Sequence, residues 1–260
     1  MKHDMTLSIA IAGAAGRMGR ALVQAASADP RFRIVGATMR EGSSNTPGIA
    51  ATPAPDAAAA SADVWIDFTT PLATLDALNA LASTRVRAAI IGATGFAPEH
   101  EQPIATHATR IAIVRSNNFS VGVTLLAALV EQAAQKLGPD WDIEISEAHH
   151  RRKVDAPSGT ALLLGEAAAK GRGKTLGELR LRPHEAVAGP RKPGGIGFSV
   201  MRAGGIIGEH DVRFAAEHEI VTLSHEALDR AVFADGALAA ALWAATKPPG
   251  LYSMRDVLGL

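Results

Sequence analysis

The strongest constraint on this chain lies at residues 7–26. An apolar run, 7–12, leads directly into Gly13-Ala14-Ala15-Gly16-Arg17-Met18-Gly19, and a helix-like segment, 21–26, follows. Strand, glycine turn and helix in that order open a βαβ unit. A glycine at the strand end permits a tight turn, a second lets the backbone approach a pyrophosphate, and a third lets helix and strand pack closely. The helix N-terminus then offers N–H groups and a positive dipole end to phosphate. The spacing is GxxGxxG, not the commoner GxGxxG. A glycine-rich helix start without a ligand is therefore the competing reading, and the setting has to decide.

The setting is a series of apolar, often β-branched runs at 32–37, 64–68, 86–91 and 111–114, most of them separated by helix-like segments. That alternation predicts βαβ units and a mainly parallel sheet. Residues 45–62, rich in Ala, Pro, Ser and Thr, are expected to form an irregular loop. From 121 to 137 the apolar residues recur with helical spacing, and Gly138-Pro139 ends the run. Strands are then expected at 142–146, 197–202, 209–214 and 219–225. The last three follow one another without room for crossover helices, which predicts an antiparallel or mixed sheet. A helix at 235–245 and a short apolar tail at 254–260 return to the first domain. The fold class expected is α/β plus α+β. Residues 1–119 and 230–260 form a Rossmann-like, parallel-sheet dinucleotide-binding domain, and residues 120–229 form a central mixed-sheet domain. No internal repeat is visible.

Composition narrows the function classes. Among 260 residues, 47% are hydrophobic, enough for a substantial core. Lys plus Arg and Asp plus Glu both total 26, so no global field draws the chain to nucleic acid or anionic lipid. There is no cysteine, which excludes disulfides and thiolate metal sites and is compatible with a reducing, cytoplasmic setting. The alanine-rich stretches are too short to span a bilayer, and residues 1–8 lack a signal peptide's apolar core.

At the end of the second strand, where a dinucleotide site commonly has an acid for the ribose hydroxyls, the chain reads Thr38-Met39-Arg40-Glu41. Arg40, with Arg17 from the glycine loop, suits a 2′-phosphate instead, because guanidinium donors match phosphate oxygens. NADPH is expected to serve at least as well as NADH. Two further strand-end loops, Gly92-Ala93-Thr94-Gly95-Phe96 and Ser116-Asn117-Asn118-Phe119-Ser120, are expected on the same sheet edge, where their backbone and amide groups suit a nicotinamide carboxamide, although each taken alone reads as an ordinary turn.

The densest chemistry is Glu147-Ala-His149-His150-Arg151-Arg152-Lys153-Val-Asp155-Ala-Pro157-Ser158-Gly159-Thr160. It reads either as a pocket for an anionic substrate with an acid catalyst or as a nucleic-acid patch. Zero net charge, the single tyrosine and the absence of interleaved aromatics disfavour the patch. The N–H groups and Thr160 hydroxyl at the start of the helix-like segment 161–169 suit a carboxylate. Histidine suits proton transfer near neutral pH, and a nearby lysine can donate a proton or hold an anion. The residues alone leave these roles open. Adjacent histidines lack the i, i+4 spacing of a helical metal pair, so no metal site is expected.

Taken together, these residues resemble the dihydrodipicolinate reductase family of bacterial lysine and diaminopimelate synthesis. The match runs through the glycine loop, Asp67-Phe-Thr69, Ile91-Gly-Ala-Thr-Gly-Phe96, Asn118-Phe-Ser-Val-Gly122 and the segment from Glu147 to Thr160. It continues through Arg202-Ala-Gly204, Gly208-Glu-His210, Phe233-Ala-Asp-Gly236 and Met254-Arg-Asp-Val-Leu258. The histidine-rich segment is the specific part, whereas many dehydrogenases share a glycine loop.

The resemblance implies NADPH or NADH as cofactor, a cyclic unsaturated dicarboxylate as substrate, a homotetramer formed through the central sheet, and closure between the domains. Hydride goes to C4 of a species formed as hydroxytetrahydrodipicolinate loses water, and the resulting enamine is protonated at C3. His149 matches the family's proton donor and Lys153 its second catalytic residue. His150, Gly159 and Thr160 match substrate-carboxylate contacts, with Arg230 reaching the site from the returning segment. Cofactor contacts fall on Gly13, Ala14, Ala15, Gly16, Arg17, Met18, Met39, Arg40, Gly92, Ala93, Thr94, Ser116, Asn117, Asn118 and Phe119. Met39 is the main departure, since many members have an acid there. A related dehydrogenase acting on an amino-acid carbonyl or imine would lack the His149–Thr160 pattern. A redox-sensing regulator would need no acid catalyst and would normally carry a DNA-binding element, of which the sequence has no sign.

Overall fold

Strand β1 (Leu7–Ala12) is buried along its whole length, which requires cover on both faces. Its alternate residues supply that cover with partners. Leu7, Ile9 and Ile11 join one apolar core with Leu22, Ala26 and Leu238, while Ala10 and Ala12 join another with Ala58, Leu78 and Ile104. The structure, a computed structural model, describes residues 6–40, 49, 51–182 and 189–260. It divides into two compact units, Met1–Val121 with Ala231–Leu260, and Gly122–Arg230.

In the first unit β1 is followed by α1 (Arg17–Ala28), β2 (Phe32–Thr38), β3 (Ala51–Thr52), α2 (Pro55–Ala59), β4 (Val64–Asp67) and α3 (Pro71–Ala80). Next come β5 (Ala88–Ile91), α4 (Glu101–Ala108) and β6 (Ala112–Arg115). The sheet order is β11-β6-β5-β4-β1-β2-β3, where β11 (Gly250–Tyr252) returns from the chain end, and every neighbouring pair is parallel. The chain runs outward from β1 through β3 and then restarts at β4 on the other side of β1. That reversal opens a crevice at the carboxyl ends of β1 and β4, where open α/β sheets take their ligands.

Residues 51–59 correct the expectation of an irregular loop: they form β3 and α2. Pro55 sits in the first turn of α2, where the missing N–H costs no helical bond. Residues 1–5, 45–48 and 50, parts of the predicted tail and loop, lie outside the described residues, as does Glu41. Strand β11 has no sequence signal strong enough to announce it, being three residues long and, among the described residues, paired with β6 alone.

The second unit contains α5 (Val121–Leu137), β7 (Asp142–His149), α6 (Gly159–Gly171), α7 (Leu176–Leu179), β8 (Ile196–Arg202), β9 (Glu209–Ala215) and β10 (Ile220–Glu226). Helices α8 (Ala231–Ala244) and α9 (Met254–Leu258) then belong to the first unit. The sheet is mixed, in the order β10-β9-β7-β8, with β7 and β8 parallel and the other pairs antiparallel. Ile143 and Ile145 of β7, with Ile196, Val212 and Phe214 beside them, pack on Leu126, Val130, Leu164 and Ala168 of α5 and α6. Strand β7 continues three residues beyond the expected 142–146, and that extension builds the site.

Candidate active site

In a strand, residues two apart share a face. Glu147 and His149 therefore continue the row of Ile143 and Ile145, on the side where helices α5 and α6 pack. The register carries the row across the sheet: Glu147 lies opposite His210, His210 opposite His225, and His149 beside Arg202. Apolar core gives way to ionisable side chains within one strand length.

Glu147 is the buried centre of this cluster. Its Oε2 accepts from His149 Nδ1 at 2.6 Å and from Arg202 Nη1 at 2.7 Å, while its Oε1 accepts from Arg202 Nη2 at 2.8 Å and Ser158 N at 2.9 Å. Burial alone would raise its pKa. The bidentate Arg202 guanidinium, His149 and the Ser158 N–H outweigh that and hold the carboxyl below the ordinary glutamate value. An ionised carboxylate only accepts, so His149 Nδ1 carries hydrogen and Nε2 is the ring atom left for proton exchange.

The segment after β7 folds back over the same cluster. Arg202 Nη2 also donates to the Asp155 carbonyl at 2.6 Å, and Ser158 caps α6 by accepting from Ala161 N at 3.1 Å. Ser158 Oγ lies 3.1 Å from Nε2 of His210, whose pKa burial and then the nearby His149 push down to about 4. Gly159 opens helix α6, is exposed, and among the described residues has no neighbour within 4 Å of where a Cβ would stand. Thr160 follows it, half-buried. Lys153 pairs with Asp155 at 2.9 Å. Arg230 Nη2 lies 3.1 Å from His150 Nε2, and burial followed by the charges of Arg230 and Arg152 lowers the His150 pKa. Thus the second unit brings His149, His150, Lys153, Gly159 and Arg230 into one neighbourhood of loop and strand ends. Sequence reasoning gave no role to Glu147, Arg202, Ser158 or His210. For Glu147 the signal that could have found it is the strand alternation of Ile143 and Ile145 continued through polar residues.

In the first unit Gly13 has φ +63°, and its N–H donates to Thr38 Oγ1 at 3.1 Å. Gly16 precedes α1 without any side-chain cap, and the first turn of α1 has no acidic residue. Among the described residues no side chain caps its leading N–H groups, which suit an anion. A Cβ on Gly19 would stand 2.2 Å from the Gly13 carbonyl oxygen, so the third glycine lets helix and loop touch. Arg17 and Arg40 are exposed. Met39 is buried beside Ala14 and Ala37, with Ala15 packed on them, so it forms the floor of the glycine loop. Across the switch point Asp67 is fully buried, and desolvation raises its pKa. It accepts from Thr69 N at 2.8 Å and Thr69 Oγ1 at 2.5 Å, and the Thr69 methyl faces Gly13.

The other two loops follow β5 and β6 on the same edge. Ala93 is buried and Thr94 exposed, and Gly95 has φ +86°. Ser116 Oγ donates to the Asn118 carbonyl at 2.6 Å and Asn118 Oδ1 accepts from Ser120 N at 2.8 Å, which leaves Asn117 exposed at the tip. The Phe119 side chain is buried against Phe68, with ring centroids 5.3 Å apart, so it supports the loop from beneath. These loops, the open α1 terminus and the strand-order reversal fit a dinucleotide. Among the described residues, no group of three His, Asp or Glu side chains could hold a metal ion, and no helix is long and apolar enough to cross a membrane.

Comparison with known proteins agrees with both halves. The family described as dihydrodipicolinate reductase, N-terminus, matches residues 7–119, and its C-terminus counterpart matches 122–258. The 4-hydroxy-tetrahydrodipicolinate reductase of Caulobacter vibrioides is 53% identical over 254 residues, covering 97% of each chain. That of Cereibacter sphaeroides is 49% identical over 264 residues, covering 97% of this chain and 98% of its own. A dipicolinate-bound dihydrodipicolinate reductase from a Paenisporosarcina species superposes with a TM-score of 0.81 at 24% identity, over 97% of this chain and 99% of its own. An amine dehydrogenase from Mycobacterium smegmatis shares the fold more loosely, with a TM-score of 0.64 at 13% identity over 98% and 96%.

Proposed function

This chain belongs to the dihydrodipicolinate reductase family, and on that premise we propose that His149 and Lys153 carry its reaction. It is an NAD(P)H-dependent oxidoreductase that reduces 4-hydroxy-tetrahydrodipicolinate, via dihydrodipicolinate, to tetrahydrodipicolinate in diaminopimelate and lysine biosynthesis. The bound nicotinamide supplies the hydride that goes to C4. His149 gives the proton to C3, and Lys153 is the second catalytic residue, whose ammonium holds developing negative charge or donates a proton.

The substrate's carboxylates are held by Gly159 and Thr160 at the start of α6 and by His150 with Arg230. A helix N-terminus and a guanidinium both suit a carboxylate. The observation that carries this reading is the fixed His149 imidazole, 2.6 Å from the Glu147 carboxylate on the strand that leads into these groups. In the first unit the loop of Gly13, Ala14, Ala15, Gly16, Arg17 and Met18 takes the pyrophosphate, on the leading N–H groups of α1 that the loop's own hydrogen bonds leave open. Gly92, Ala93, Thr94 and Ser116 to Phe119 take the nicotinamide end, with Met39 beneath the loop. Arg17 and Arg40 grip the 2′-phosphate, which makes NADPH at least as good a donor as NADH.

The assembly is a homotetramer built through the sheet of the second unit. The face away from α5 and α6 exposes Met201, Ile220, Thr222 and Ser224, a mixed surface suited to pairing with further copies. The enzyme works in the cytoplasm, where the absence of cysteine costs it nothing. Light scattering of the purified chain tests the tetramer.

Following NADPH and NADH oxidation with the coupled product of dihydrodipicolinate synthase tests the chemistry. His149→Gln and Lys153→Ala are expected to lose turnover by about 10²-fold or more while still binding cofactor. Unchanged turnover in both variants would overturn the assignment.

A further inference from the structure

We propose that Glu147 and Gly208 are positioning residues that make Nε2 of His149 the proton-donating atom, Glu147 by fixing the ring tautomer and Gly208 by leaving space in front of Nε2. This rests on His149 being the proton donor and adds which atom acts and what sets it.

Both oxygens of Glu147 are saturated with N–H donors: His149 Nδ1 and Arg202 Nη1 on Oε2, Ser158 N and Arg202 Nη2 on Oε1. Such a site accepts only, so it selects the imidazole form with hydrogen on Nδ1. It also ties the donor to the carboxylate-binding segment, because Ser158 caps α6 and Arg202 also holds the Asp155 carbonyl. A carboxamide at 147 would turn hydrogens toward two of those donors. The ring could then no longer rely on an acceptor at Nδ1.

Gly208 supplies the independent observation. Its backbone does not lie in the left-handed region, so conformation does not call for glycine there. A Cβ at 208 would instead stand 3.1 Å from His149 Nε2 and 3.5 Å from Cδ2, and Gly208 is anchored by its carbonyl accepting from Ala227 N at 2.9 Å. Glycine here keeps a side chain from pressing on the working nitrogen.

In the step itself, the Nε2–H bond of the imidazolium breaks and a C3–H bond forms on the enamine left by hydride addition. The ring becomes neutral with hydrogen retained on Nδ1. Solvent then returns a proton to Nε2.

The test uses the full-length enzyme with ¹⁵N-labelled histidine. Wild type is expected to show neutral His149 as the Nδ1–H form, and Glu147→Gln to lose that preference. Glu147→Gln should lower kcat about 10²-fold, a larger factor than any rise in the substrate KM. Gly208→Ala should lower kcat about tenfold with NADPH affinity and the Nδ1–H signature intact. The proposal is overturned if wild-type His149 carries its hydrogen on Nε2, or if Gly208→Ala retains wild-type kcat. Those two measurements decide even where Glu147→Gln does not fold; where it folds, wild-type kcat in that variant also overturns the proposal. His149→Gln is run alongside. Full turnover there would fault the donor assignment itself, whereas its loss beside active Gly208→Ala faults only the positioning claim.

Discussion

The ring of His210 stands edge-on to that of His149, with centroids 5.1 Å apart and planes at 75°. His210 is 4% exposed, and its pKa of about 4 means that it stays neutral where an ordinary histidine, at 6.5, would gain charge. The unfolded chain binds this proton first as pH falls. Stability contributed by the neutral ring is therefore present above pH 6.5 and lost as pH falls toward about 4. That gap corresponds to about 3 kcal/mol. His210→Gln should flatten this part of the profile, as measured by urea unfolding between pH 7 and 4. Glu147 adds a separate acid loss only below its ordinary 4.5, so equal slopes for wild type and variant above pH 5 would contradict the expectation.

Gly19 and the Gly13 carbonyl define how closely α1 can approach the glycine loop. Because a methyl at 19 would stand 2.2 Å from that oxygen and 2.6 Å from Ala14 Cα, the backbone itself must move. Gly19→Ala is expected to cost about 1–3 kcal/mol of stability and to weaken cofactor binding. Thermal melting with and without NADPH checks both, and a variant with wild-type melting and affinity would rule out the close-packing role.

At Gly159 the opposite holds. Among the described residues no atom lies within 4 Å of a prospective Cβ, and the residue is in a helix, where alanine is favoured over glycine. Gly159→Ala should leave the melting temperature unchanged or raise it slightly. It should raise the substrate KM about tenfold by placing a methyl where the carboxylate approaches the helix N–H groups. Initial rates at saturating NADPH decide this, and an unchanged KM would move the carboxylate elsewhere.

How legible the site was in the sequence depended on which physical rule each residue obeys. Strand β1 and helix α5 obey hydrophobic periodicity, and their observed limits, Leu7–Ala12 and Val121–Leu137, coincide with those the pattern predicts. Glu147 and His149 break it, because they occupy inward positions where a core residue is expected. The strand consequently reads as ending at Ser146, yet it runs to His149. Helix α2 was hidden by Pro55, which is a breaker inside a helix but harmless in its first turn. Arg202 and His210 were beyond reach for another reason: they meet Glu147 only through strand register across a sequence separation of more than fifty residues.

Met39 determines how cofactor choice can be altered. Arg17 and Arg40 are exposed at the glycine loop and the end of β2, so replacing either removes charge without disturbing the core. Arg17→Ala and Arg40→Ala should each lower kcat/KM for NADPH about tenfold, the worth of one charge-assisted hydrogen bond, while NADH changes by no more than about twofold. Met39 is different, being 9% exposed and packed with Ala14 and Ala37. An acid introduced there must either be buried without a partner or displace the loop floor to reach solvent. Met39→Glu is therefore expected to lower the melting temperature and weaken both cofactors, not to convert the enzyme to NADH. Paired NADPH and NADH kinetics on all three variants test this, and a stable Met39→Glu with improved NADH turnover would contradict it.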